Sequence, residues 1–100
     1  MGRYDFQFIY ILKRKIDLDT LVEVINNCVN SAIRFINEKF PNLILSILPD
    51  LEMDLDDVLS IRMHLKIDID PFSDLLKREK EIANMTTGVF WNEFKRRISD

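Results

Sequence analysis

The stretch LILSILPDLEMDLDDVLSIRMHLKIDI, residues 43–69, decides the fold. Leu43, Leu45, Ile47, Leu51, Met53, Leu55, Leu59, Ile61, Met63, Leu65, Ile67 and Ile69 all stand at odd positions, while Asp50, Glu52, Asp54, Ser60, Arg62, His64, Lys66 and Asp68 stand at even ones. Side chains of a strand point alternately to opposite faces, so this period of two means extended chain. One apolar face and one polar face is the pattern of an antiparallel sheet with water on one side.

The stretch is too long for one strand and must fold back, most simply at Asp56-Asp57. Only odd-to-odd registers keep the two apolar sets on one face. A three-residue loop that pairs Leu55 with Leu59 meets this condition, and it sets Glu52 opposite Arg62 and Asp50 opposite His64. Such cross-strand charge pairs contribute about 0.2–1 kcal/mol each. Pro49 lacks a ladder donor and belongs at an edge, a strand start or a bulge, so residues 43–48 read either as a short separate strand or as a helical extension.

Upstream, Arg3 to Ile16 reads as a strand with Tyr4, Phe6, Phe8, Tyr10 and Leu12 on its core face. The period then changes. Thr20 followed by Glu23 fits a capping box, and Leu21, Ile25, Cys28, Ala32, Phe35 or Ile36, and Phe40 recur at helical spacing until Pro41 stops the helix. Downstream of Asp70-Pro71, Ser73 or Asp74 caps a last helix through Leu75, Leu76, Ile82, Ala83, Phe90, Phe94 and Ile98. Thr86-Thr87-Gly88 is poor helix material, so a break there and a continuous helix are both open. The expected fold is α+β, a two-layer sandwich in the order β-α-β-β-α, with two helices on one face of an antiparallel sheet and one domain spanning residues 1–100.

The composition, 47% hydrophobic and 31% charged over 100 residues, suits one globular domain. A net charge of −3 gives no global attraction to phosphate backbones. Cys28, the one cysteine, sits at an apolar helical position and reads as an inert buried thiol in a reducing compartment. No charged leader, membrane-length apolar run or myristoylation pattern is present, and cytoplasmic is the expectation. Scarce Gly and Ala with plentiful Ile and Asn suggest an AT-rich genome.

Candidate sites are few. Asp50, Glu52, Asp54, Asp56 and Asp57 form the densest acidic cluster, but a calcium loop needs Gly at the sixth position, where Leu55 stands. His64 sits on a solvated strand face without a pocket to hold a substrate proton, and two glycines are too few for a phosphate-cradling loop. No catalytic residue, cofactor site or metal site is therefore expected. Basic residues gather at 13–15, at 62–66 and at 95–97, which supports a secondary reading as a nucleic-acid accessory protein. The aromatics that would stack bases are on the core face.

The segment Leu59-Ser-Ile-Arg-Met-His-Leu-Lys-Ile-Asp-Ile-Asp-Pro-Phe-Ser-Asp74, between two amphipathic helices, resembles a small archaeal family of unknown function. The likeness spans roughly residues 20–98. It rests on strand alternation ending in Pro-x-Ser-Asp, and it implies the α+β fold and no activity.

The leading functional expectation is a non-enzymatic interaction or oligomerisation domain, a homodimer through the sheet face or edge. Ile9, Ile11, Ile44, Leu48 and Val58 make the polar face unusually apolar. The candidate interface residues are Ile9, Ile11, Glu52, Arg62, His64 and Trp91, with the isoleucines central and the charged residues toward the rim.

Overall fold

In the computed structural model, residues 2–42 and 44–98 are described, apart from the side chain of Leu45. Leu43 and the Leu45 side chain, which belong to the odd apolar set, lie outside the described residues. The order is β1 (Gly2–Tyr10), α1 (Leu18–Lys39), β2 (Ile44–Leu55), β3 (Leu59–Ile69), a 3₁₀ turn (Asp74–Arg78) and α2 (Glu79–Ile98). The three strands form one antiparallel sheet in the order β1-β3-β2, with two helices, as the α+β reading expects.

The hairpin has the expected register. Leu55 pairs with Leu59, Glu52 with Arg62 and Asp50 with His64, and the loop closes with Asp56 N–H donating to the Val58 carbonyl at 3.2 Å. In β3, the central strand, burial follows strict alternation, and Leu59, Ile61, Met63, Leu65, Ile67 and Ile69 are all buried. Against them pack Leu21, Ile25, Cys28, Ala32 and Ile36 from α1, and Ile82, Ala83, Phe90 and Phe94 from α2. Both helices therefore cover the face made by the odd residues of β2 and β3 and the even residues of β1, and the opposite face is left to solvent.

Four local readings change. β1 stops at Tyr10, well before Ile16, because Tyr10 already pairs with Leu59, the first residue of β3, and no partner strand remains beyond it. Asp17, not Thr20, is the N-cap of α1: its Oδ1 accepts from Thr20 N–H at 2.7 Å, satisfying a free amide of the first turn. Residues from Ile44 onward are strand, not helix, and a register shift between Ile44 and Ser46 breaks the alternation. Ile44 consequently pairs with Ile69 and packs on the core, so it is not part of the open face. Leu76, assigned to the core stripe, is exposed on the 3₁₀ turn, where Ser73 Oγ caps Leu75 N–H at 3.1 Å.

Of the two readings of residues 86–88, the continuous helix is the one observed. Thr86 donates its hydroxyl to the Ile82 carbonyl at 2.8 Å and Thr87 to the Ala83 carbonyl at 3.1 Å. The two buried hydroxyls are thereby satisfied inside α2 without breaking it.

Candidate interaction surface

The open face is built from the even residues of β2 and β3 and the odd residues of β1, so its chemistry follows from register. One cross-strand row is Asp5, His64 and Asp50; the next toward the hairpin turn is Gln7, Arg62 and Glu52. His64 Nδ1 lies 2.6 Å from Asp5 Oδ1, and its Nε2 lies 3.8 Å from Glu52. Arg62 reaches Glu52 and Asp54, both at 3.2 Å. Gln7 donates to Ser60 Oγ at 3.3 Å, and Arg3 meets Asp5 at 3.4 Å. The His64 hydrogen bond, with help from Arg3, holds the Asp5 carboxyl below its ordinary range.

This network ties β1 and β2 to the central strand through side chains as well as backbone. His64 is held at Nδ1 by the Asp5 carboxylate, while its Nε2 lies beyond hydrogen-bond reach of Glu52. A shallow groove of about 190 Å³ beside it is lined by Arg3, Leu48, Pro49, Asp50, His64 and Lys66. A larger cleft, about 480 Å³, lies between the end of α1 and the start of β2, lined by Ile33, Asn37, Pro41, Asn42, Ile44, Ser46 and Ile47. Neither cleft gathers ligands for a metal; among the described residues no group of three or more His, Cys, Asp or Glu side chains converges.

Glu52, Arg62 and His64, expected near one another, are brought together in the charged network. Ile9 and Ile11 sit at its margin, where β1 ends. Ile9 pairs with Ser60 and is 60% exposed; Ile11, just past the strand, is 69% exposed. Leu48 is 56% exposed but pairs with Lys66, toward the opposite corner, so the apolar residues do not form one patch.

Trp91 belongs to the other layer. It stacks on Phe8 at 4.8 Å and on Phe94 at 5.5 Å, with Tyr10 edge-on at 6.1 Å. It is therefore not on the open face. Asp5 is the residue that sequence reasoning passed over. Its place on the polar side of β1 was legible, but its partnership with His64 needs the knowledge that β1 lies beside β3. Phe72, 97% exposed on the turn after β3, was also passed over.

The basic clusters are divided. Arg62 is committed to Glu52 and Asp54, while Arg96 and Arg97 reach Glu93 at 2.6 and 2.8 Å. Cys28 is buried, and burial pushes its thiol pKa up, as for an unreactive side chain. Among the described residues, no helix is long and apolar enough to cross a membrane.

No protein-family model matches the sequence, and no curated protein does. The fold is similar to a crystal structure from the archaeon Thermococcus onnurineus NA1, with a TM-score of 0.59 and 10% identity over 96% of this chain and 95% of that one. At that identity the likeness establishes shared architecture alone.

Proposed function

We propose that this chain is a small non-enzymatic interaction module that associates with itself through the uncovered face or the free edge of its sheet. The carrying observation is the pair Ile9 and Ile11, 60% and 69% exposed at the end of an edge strand, beside a face whose charges are already paired with one another. Exposed apolar residues at a sheet margin favour association, and a twofold pair is the commonest way to cover them. Mutual pairing of the charges suits a surface that meets another protein better than one that binds a charged small molecule. The fold neighbour is archaeal and shares the α+β architecture expected of the small archaeal family, and a buried thiol suits a reducing cytoplasm.

One observation favours a second reading. Trp91 and Phe94, just before the basic run at 95–97, pack on Tyr10, just before the run at 13–15, an arrangement that suits a positive margin for nucleic acid beyond the end of β1. The weight against it is that Tyr4, Phe6, Phe8 and Tyr10, the candidate stacking residues, pack toward the helices.

Light scattering on the purified protein tests the first reading. The expected mass is about twice 11.9 kDa at high micromolar concentration. The double variant Ile9→Lys/Ile11→Lys is expected to return to the monomer mass with its circular dichroism unchanged. A wild-type monomer at every concentration, together with salt-sensitive retardation of single-stranded RNA, would favour the second reading.

A further inference from the structure

We propose that β1 pairs edge to edge with β1 of a second copy, antiparallel about a twofold axis through Phe6, so that two sheets become one. This rests on the interaction reading above and names the surface that carries it.

The two edges of the sheet are built differently. β2 carries Pro49, a register shift between Ile44 and Ser46, and the exposed carboxylates Asp50, Glu52 and Asp54. Proline, irregularity and charge are the devices that keep an edge from adding strands. β1 has neither proline nor irregularity along its ladder, and its charges are fewer and of opposite sign. Its nine residues pair with β3 without a shift from Gly2↔Ile67 to Tyr10↔Leu59, and its two charges, Arg3 and Asp5, are 3.4 Å apart.

The layer above β1 is also incomplete on that side. Tyr4, Phe6, Phe8 and Tyr10 are only half-buried, although the residues they pair with on β3 are fully buried. Trp91 rests on Phe8 and Tyr10, so the flank of α2 that carries it overhangs the free edge. Asn84, Gly88, Trp91 and Lys95 follow one another along that flank at helical spacing. A Cβ added to Gly88 would meet nothing within 4 Å. Gly in a helix interior destabilises it, and here no contact within the chain requires one. A second α2, brought alongside by strand pairing, would approach this flank and use the space.

The occupant follows from register. An antiparallel pair keeps the aromatic faces together only if paired residue numbers sum to an even value. The sum of twelve is the one that pairs all of Gly2–Tyr10: Phe6 meets the partner's Phe6, Tyr4 meets the partner's Phe8, and Asp5 meets the partner's Gln7. The aromatic stripe becomes continuous across the seam, under two adjacent α2 helices. Ile9 then lies opposite the partner's Arg3, twice by symmetry.

That last pairing gives the test. Dimer dissociation constants are measured for the full chain and for Ile9→Ala, Ile9→Glu and Ile9→Lys, with circular dichroism to verify folding. Ile9→Glu faces the partner's Arg3 and is expected to bind about threefold or more tightly than Ile9→Ala; Ile9→Lys is expected to bind correspondingly more weakly. Net charge runs the other way, since Glu deepens and Lys relieves the −3 of each chain. The predicted order therefore cannot arise from general repulsion. If Glu and Lys both dissociate the dimer, association is through the open face: the edge proposal is overturned and the interaction reading stands. A dimer in which Lys binds as tightly as Glu, or more so, overturns the register. A wild-type monomer throughout overturns both.

Discussion

At the scale of single residues, position on the two-residue period decides what each side chain does. Leu65 and Lys66 are neighbours in the chain and opposite in role. Leu65 is fully buried at the centre of β3, against both helices, and Lys66 points to solvent. Leu65→Ala is expected to cost about 2–5 kcal/mol through lost burial and the cavity left behind, and Lys66→Ala well under 1 kcal/mol. Urea denaturation reads both, and equal midpoints would contradict the assignment of faces. The same logic sets the surroundings of His64, an even position of the middle strand: Asp5 of β1 lies 2.6 Å from its Nδ1 and Glu52 of β2 lies 3.8 Å from its Nε2, so its one hydrogen bond here ties β3 to β1.

Among the elements, the hairpin was the most legible in the sequence. Alternation on both arms, an acidic turn and a parity rule left the Leu55↔Leu59 register as the one that also matches the charges. The position of β1 was not legible, because the strand's own pattern fixes which face is buried but not which neighbour it joins. With β3 rather than β2 as that neighbour, Asp5 enters the charged network and Trp91 is drawn onto Phe8, and neither consequence could be read beforehand. The Ile44 shift was hidden for a related reason: a bulge changes the face of one residue without altering the composition around it.

The continuity of α2 depended on the Thr86 and Thr87 hydroxyls finding backbone carbonyls, which propensity alone does not reveal. Gly88 remains the weak point of that helix, with a φ outside the left-handed region and open space around it. Gly88→Ala is therefore expected to stabilise the dilute protein by about 0.5–1 kcal/mol in urea denaturation. In concentrated solution the same substitution is expected to lower the dimer fraction, because the added methyl occupies the space offered to a second α2. Destabilisation of the dilute protein would show that Gly88 answers a need within the chain.

Considered whole, the molecule has one covered face, one self-paired polar face and two unequal edges. The covered face accounts for stability, and the charged network locks the strands to one another. What is left for function is the margin where Ile9 and Ile11 are exposed and where β1 has no neighbour on its outer side among the described residues. The account stands on the difference between the two edges, and amide hydrogen exchange compared at low and high protein concentration measures that difference directly. The outward-facing amides of β1 are expected to exchange rapidly in dilute protein and to become protected as concentration rises, while those of β2 exchange rapidly at both. Protection of β1 that does not change with concentration, or protection that rises on β2 instead, would contradict the account.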